Sequence, residues 1–344
     1  LKGSISWVTS SGNVTPLEFC PRSDPKTLVI SQTPGFIKLA PGVDVVVEDL
    51  RLFELNTIAN VQEQASLTLD NIDAERILTI LSCASTPAIR AGEGASVTIR
   101  DNTWNQVLNW GTTLAGFVSD PAIGGLNANS LIIENSRFVR GNSAGGFIFW
   151  NGDTVDSKVL IVSSEMSEVG GIVTTGNART HMVNSLWATN SLGVPSEGER
   201  IVNQSSRPMT IEASTLLFNE GSCNTGCQIE SGYGRILHFG PSAAPVELID
   251  TAISANFPNG AFPGLLLESV QSQPPAFNAN TTTWIQPIDG QDASALEAIT
   301  NQSGLMTTGV GFVQPFVGFD SRVWATPVAD GVLIDAIAQA ACAD

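Results

Sequence analysis

Apolar and polar residues alternate along most of the chain with the two-residue period of β-strands. Eight segments share one template: apolar, any, apolar, any, short polar, two further residues and a final apolar residue, as in LIIENSRF at residues 131–138. They occupy residues 45–52, 67–74, 97–104, 131–138, 159–166, 180–187, 209–216 and 246–253. Their starting points lie 21 to 37 residues apart, a spacing typical of solenoid coils with loops of variable length. The hairpin signals of a sandwich are sparse, so the pattern predicts stacked β-coils.

The fifth template position is predicted to be a corner of each coil. It holds Asp49, Asn71, Asp101, Asn135, Ser163, Asn184, Ala213 and Asp250. Short polar side chains bond to nearby backbone groups and tolerate unusual φ angles, so all of these except Ala213 suit a corner. In stacked coils they would form a ladder, which we interpret as architecture that carries no chemistry. Glycine pairs such as Gly145-Gly146 would allow the backbone to bend again.

Composition narrows the function. The chain has 16 Lys and Arg against 33 Asp and Glu, a net charge of -17, and this balance disfavours nucleic acid as a partner. Only 14% of the residues are charged, so the surface must be rich in Ser, Thr, Asn and Gln, as in extracellular proteins. No apolar run reaches the roughly 18 residues that a membrane span needs. The start without Met, with no signal-peptide core, suggests a processed piece of an exported precursor.

The cysteines indicate at most one local disulfide. Cys223 and Cys227 flank the short loop Asn-Thr-Gly and predict a disulfide in an oxidising compartment, with free buried thiols as the alternative. A CxxxC motif without nearby His ligands is poor evidence for zinc. The sequence leaves the pairing of the other three cysteines open; they are Cys20, Cys83 and Cys342.

Catalytic motifs are weak. Candidate acids for a polysaccharide lyase or glycoside hydrolase are Glu134, Asp153, Asp156, Glu165, Glu168 and Glu212. None of them sits beside a Lys or Arg cluster in a known motif, and we assign no catalytic residue, metal or cofactor. His181 and His238 are expected to be ordinary surface or loop residues, because no HExxH or GxSxG motif is present.

Aromatic residues fall into two groups. Trp104, Phe138 and Trp187 occupy the last template position and are predicted to stack in the core. Trp110, Trp150 and Trp284 fall outside that column and, if exposed, are candidates for contact with a glycan or protein partner. Asp153 belongs to the same candidate contact surface, because the coil at Trp150 gives way to a loop there.

A known family shares these features. The rungs LIIENSRFVRGNSAGGFIF and VLIVSSEMSEVGGIVTT resemble the repeats of right-handed parallel β-helix proteins of the polymorphic outer membrane protein type, over most of residues 27–257. The ending ATPVADGVLIDAIAQAACAD is similar to the "SPAIDAG...C...DQRG" ending of bacterial β-helix proteins with diverse C-terminal anchors, the choice-of-anchor group. Cys342 and Asp344 match that ending, whereas Gly331-Val332 replaces its Ser-Pro. The resemblance implies bacterial export and usually no catalytic activity.

We therefore expect an all-β, single-stranded right-handed parallel β-helix at residues 1–278, of about nine to eleven coils from about Ser4. Residues 279–344 would form a less regular C-terminal cap with one helix at 292–301, with Asp292 as its N-cap. The expected function is a non-enzymatic structural or adhesive module of a bacterial cell surface. Expected partners are cell-surface glycans or proteins, or other copies stacked head to tail on the strand that begins near Ser4. The alternative is a glycan-cleaving enzyme whose acids line one outer sheet.

Overall fold

The computed structural model describes thirteen stretches of the chain. They are residues 37–53, 55, 57–78, 87–109, 122–139, 142–143, 147–152, 154–190, 201–219, 236–256, 267–269, 276–285 and 293–302. These stretches are dominated by short β-strands and contain one α-helix. In chain order the strands are β1 (Ile37–Leu39), β2 (Asp44–Phe53), β3 (Ala59–Val61), β4 (Ser66–Leu78), β5 (Ile89–Ala91), β6 (Ser96–Arg100), β7 (Thr103–Asn109), β8 (Ile123–Ala128), β9 (Ser130–Glu134), β10 (Arg137–Val139), β11 (Asn142–Ser143), β12 (Ile148–Gly152), β13 (Lys158–Val162), β14 (Glu165–Val169), β15 (Ile172–Gly176), β16 (Arg179–Val183), β17 (Leu186–Asn190), β18 (Ile201–Ser205), β19 (Met209–Glu212), β20 (Thr215–Asn219), β21 (Ile236–His238), β22 (Val246–Ile249), β23 (Ala252–Asn256), β24 (Leu267–Ser269), β25 (Phe277–Ala279) and β26 (Trp284–Ile285). The helix α1 spans Ala293–Thr300.

The strands form two long sheets in which the pairing is parallel. The first sheet has nine strands in the order β1-β3-β5-β8-β12-β15-β18-β21-β24. Each of these strands begins one coil, and we number the coils 1 to 9 in that order. Parallel strands cannot be joined by tight hairpins, so each neighbour in the sheet comes from the next coil along the chain.

The second sheet has two arms that meet at the predicted corner. The leading arm contains the strand segments before the corner, among them β6, β9, β13, β16, β19 and β22. The trailing arm contains the segments after it, among them β7, β10, β14, β17, β20 and β23. β2 and β4 pass through the corner and contribute to both arms. Each coil therefore supplies one strand to the first sheet and strand segments to both arms, and the described fold is a parallel, solenoid-like β-structure.

The register agrees with the repeat read from the sequence. The first residues of the eight template segments are Cα partners on successive coils: Val45, Leu67, Val97, Leu131, Val159, Thr180, Met209 and Val246. The prediction that these segments stack on one another is confirmed. The register holds although loop lengths differ, because a shift by one residue would turn every buried side chain outward.

The core consists of columns of apolar side chains that run from coil to coil. In the first sheet one fully buried column contains Ala59, Ile89, Ile123, Ile148, Ile172, Ile201, Ile236 and Leu267. In the trailing arm Trp104, Phe138 and Trp187 are at most 1% exposed, which confirms that the last template position faces the core. The rings of Trp104 and Phe138 meet edge to face at 5.0 Å between centroids. β-branched and aromatic side chains pack well on a pleated surface, and each coil needs its neighbours to bury them.

The C-terminal end of the stack is covered by α1. The helix contacts β24 and β25, and its Leu296 is fully buried within the core cluster. The observed helix lies inside the predicted range 292–301, while Asp292 itself lies outside the described residues. Strand pairing extends to Ile285, so the stacked strands continue past the boundary expected at residue 278.

Candidate functional site

The predicted corner residues share one unusual backbone conformation. At all eight positions, from Asp49 to Asp250, φ lies between 46° and 56°. This left-handed region is strained for most side chains but tolerated by Asn and Asp. Ala213, with φ 46°, has no polar group to offset the strain, which costs about 1 to 2 kcal/mol.

Side chains at the corner bond to one another between coils. Asn71 Nδ2 donates to Asp49 Oδ1 at 2.8 Å, and Asn135 Nδ2 donates to Asp101 Oδ1 at 2.6 Å. Asn184 Nδ2 donates to Ser163 Oγ at 3.1 Å. In coil 9 Asn280 donates to Asp250 Oδ1 at 2.8 Å. These side chains serve contacts within the stack, as the architectural interpretation expects.

A second polar column lies beside the corner inside the stack, and the sequence analysis missed it. The buried hydroxyl ladder consists of Ser136, Ser164, Ser185 and Ser214, at most 5% exposed, with Asn102 before it and Thr251 after it. Each hydroxyl accepts the N–H of the corresponding residue on the preceding coil, at 3.1 to 3.2 Å. Each also donates to the carbonyl two residues earlier on its own coil, at 2.7 Å.

The sequence does carry a signal for this ladder. The residue after each corner changes from Leu50 and Ile72 in coils 1 and 2 to Asn, Ser or Thr in coils 3 to 8. Buried backbone N–H and C=O groups need hydrogen-bond partners. A run of small hydroxyl residues at one fixed position of the repeat therefore indicates that their side chains supply these partners inside the stack. The template allows any residue at the position directly after the corner.

The candidate acids are dispersed over the surface. Glu134 lies opposite Arg100 and Val162 on its neighbouring coils, and Glu165 lies opposite Arg137 and Leu186. Glu165 Oε2 lies 3.1 Å from Arg137 Nε. None of Glu134, Glu165 and Glu212 has a carboxylate at the same register on an adjacent described coil.

Of the remaining candidate acids, one lies in a turn and two have side chains outside the described part of the structure. Asp156 is exposed in the turn before β13. Asp153 lies outside the described residues, as does the side chain of Glu168. Among the residues that the structure describes, no group of three His, Cys, Asp or Glu could hold a metal ion.

A small polar group lies on the outer face of the leading arm. His181 Nε2 lies 3.0 Å from Glu212 Oε2, and both side chains are about two-fifths exposed, at 39% and 42%. The hydroxyl of Thr210 donates to Glu247 Oε2 at 3.0 Å. His181 is thus a surface residue, as predicted, and its contact with a carboxylate lies on the open sheet.

His238 does not follow the prediction. It was expected at the surface or in a loop, but it is 1% exposed in β21, with Nε2 2.6 Å from Ala244 O and 3.1 Å from Ala243 O. Nδ1 is buried without a hydrogen-bond partner. Burial lowers the pKa of His238, while the hydrogen bonds to the two carbonyls act in the opposite direction. The imidazole therefore belongs to the interior of coil 8.

The expected aromatic contact surface is largely wrong. Trp150 is fully buried and Trp284 is 2% exposed, so neither ring is open to a glycan or a partner. Trp150 fills the space above Gly125, where a Cβ atom would lie 2.6 Å from Trp150 Cε3. The tryptophan ring is large enough to fill the gap that glycine leaves on the preceding coil. Trp110 lies outside the described residues.

The proposed disulfide lies outside the described part of the chain. Cys223 and Cys227, like Cys20, Cys83 and Cys342, are not among the described residues. Within the described part, no helix is long and apolar enough to cross a membrane.

Scans against protein-family models, curated proteins and solved structures give no match.

Proposed function

We propose that the chain is a right-handed parallel β-helix that serves as a non-enzymatic structural or adhesive module of an exported bacterial surface protein. The observation that carries the proposal is the continuous internal bonding of the stack. The buried hydroxyl ladder and the apolar columns connect one coil to the next in register. At about 4.8 Å per coil, nine coils form a stiff body about 40 Å long. Such a body suits display or adhesion.

The outer faces support the non-enzymatic part of the proposal. Carboxylates on adjacent coils at one register would lie about 5 Å apart, the separation that a retaining glycosidase uses. The register gives none of the described candidate acids such a partner; Glu165 pairs with Arg137 and Glu212 with His181. These contacts are typical of cross-strand pairs that stabilise a sheet.

End-to-end assembly is proposed at the N-terminal side of the stack, where the strand expected near Ser4 lies outside the described residues and coil 1 is the first coil described. Ile37, Val45 and Leu50 are only partly buried there, whereas their partners on coil 2 are at most 1% exposed. The opposite end is covered by α1. An upstream part of the same polypeptide, or another copy, would complete the burial of these side chains.

Two measurements test this function. Electron microscopy and light scattering of the purified chain should show rods, with end-to-end species if copies assemble; a strictly monomeric rod would limit the module to display without self-assembly. Incubation with uronic-acid and neutral glycans, with and without Ca²⁺, should give no cleavage. Turnover that is abolished by Glu212→Gln or Glu165→Gln, and retained in the exposed control Glu93→Gln, would refute the non-enzymatic proposal.

A further inference from the structure

Three basic residues from successive coils converge at one edge of the leading arm. Lys158 begins β13 and Arg179 begins β16, and the two are Cα partners. Arg207 precedes β19, and its Nη2 donates to Val155 O at 3.4 Å in the turn that leads to Lys158. All three side chains are exposed. We name Lys158, Arg179 and Arg207 the cationic edge.

The cationic edge differs from the other basic positions on the second sheet. Arg51, Arg100 and Arg137 each contact a carboxylate on the neighbouring coil, at 2.9, 2.5 and 3.1 Å. The structure shows no ion pair between any of the three edge residues and another described residue.

Packing of the stack does not account for this local positive charge. The described turn 154–157 supplies one carboxylate, that of Asp156. Like charges opposite each other on paired strands are destabilising. In a chain with a net charge of -17, three exposed cations that form no ion pair with a described residue favour a negatively charged partner at this edge.

We propose that the cationic edge binds a linear acidic polysaccharide that runs along the stacking axis. This inference deepens the adhesive part of the proposed function and rests on it. Lys158 and Arg179 begin paired strands on adjacent coils, about 4.8 Å apart, and Arg207 reaches back from coil 7 to the turn at Val155 in coil 5. The edge therefore presents three cations within about two coil repeats to a polymer that carries one carboxylate or sulfate at each sugar. Thr154, exposed at the same edge, provides a hydroxyl group that can bond to sugar hydroxyls, and the exposed Ser206 hydroxyl, which donates to Asn177 Oδ1 at 2.8 Å, can accept from one.

The spacing favours a polysaccharide over an acidic peptide. An extended peptide places side chains on one face at every second residue, about 6.6 Å apart. This spacing does not match the distance of about 4.8 Å between the paired positions of Lys158 and Arg179. An extended sugar chain advances by roughly one coil repeat per residue.

The test uses the full chain and four probes: polygalacturonate, dextran sulfate, uncharged dextran and poly-L-glutamate, with binding measured by calorimetry at low and physiological salt. Polygalacturonate or dextran sulfate should bind, more weakly as salt rises, and uncharged dextran should not. Replacing Lys158, Arg179 and Arg207 together by Gln should weaken binding about tenfold, because three exposed charge contacts are removed. Asp156→Asn should strengthen binding, about twofold.

A matched control is available on the same stack. Arg90 is exposed on coil 3 in the first sheet, so Arg90→Gln removes one charge at a distance from the edge and should leave affinity within about twofold. Circular dichroism verifies that each variant is folded. Unchanged affinity in the triple variant, tighter binding of poly-L-glutamate than of both polysaccharides, or no binding of either acidic polysaccharide would overturn the inference.

The outcomes separate this inference from the function on which it rests. Loss of polyanion binding in a rod-shaped chain that cleaves no glycan would remove the inference alone. Cleavage of polygalacturonate that depends on Glu212 would instead remove the non-enzymatic proposal, whether or not the cationic edge contributes to affinity.

Discussion

Replacing Ser164 by Ala tests whether the buried hydroxyl ladder stabilises the stack. Ser164 is 4% exposed and its hydroxyl makes two bonds: it accepts Ser136 N–H at 3.2 Å and donates to Val162 O at 2.7 Å. Alanine fits the space but leaves a buried N–H and a buried carbonyl lone pair without this partner. The cost of a buried polar group that loses its partner is about 1 to 3 kcal/mol, so we expect a loss of about 2 kcal/mol.

The assay must report locally, because stacked coils need not unfold as one cooperative unit. Hydrogen exchange of the Ser136 amide measures the opening free energy at the altered bond, and urea unfolding followed by circular dichroism measures the whole stack. Ser164→Thr keeps the hydroxyl, as Thr251 does at the same position in coil 8, and should lose less than Ser164→Ala. Thr154→Ala, in the exposed turn, should stay within about 0.5 kcal/mol.

A small loss would refute the reasoning. If Ser164→Ala changes the free energy of unfolding by less than about 0.5 kcal/mol and leaves exchange at Ser136 unchanged, the ladder is not a source of stability. The same holds if Thr154→Ala is as harmful as Ser164→Ala.

Two further predictions concern the first sheet. Gly125→Ala should destabilise the stack by about 1 to 3 kcal/mol, because the new Cβ would lie 2.6 Å from Trp150 Cε3. The control Gly92→Ala should be close to neutral, because its Cβ would lie 3.5 Å from the nearest atom. Thermal unfolding measures both variants, and equal effects would contradict the packing argument. Because burial lowers the pKa of His238 below its usual value of about 6.5, the unfolded chain takes up this proton first, so the contribution of His238 to stability is full above that pH and falls as the pH drops below it. His238→Gln should reduce the fall in the urea midpoint between about pH 7.5 and 5.5; an undiminished fall in the variant would show that other groups cause it.

The repeat could be predicted from the sequence because it depends on short-range rules. The two-residue alternation of apolar and polar positions is visible in the segments from residues 45–52 to 246–253, and all of them except the one with Ala213 have a short polar residue at the corner. The register of Val45 on Leu67, and of Leu131 on Val159, follows since each coil must bury the same face. Even Ala213 has the positive φ of its column, although alanine gives no local reason for it. There the neighbouring coils impose the conformation.

The surface residues could not be predicted in the same way. Strands of the first sheet are short, and their alternation does not reveal whether Trp150 points inward or outward. Trp150 was a candidate contact residue only if exposed, and His238 was expected at the surface or in a loop; the structure buries both. The hydroxyl ladder was not predicted because serine occurs both in the interior and at the surface. Only the neighbouring coil shows which of the two applies.

What the sequence determined by itself is the repeating unit: which residues alternate, where each coil turns, and that successive coils must stack to bury one face. What only the tertiary structure decided is which distant residues become neighbours. Lys158, Arg179 and Arg207 are separated in the chain by whole coils of unequal length, and register alone places them at one edge. The physical reason is that loop length varies at little energetic cost, whereas strand pairing and core packing accept one register.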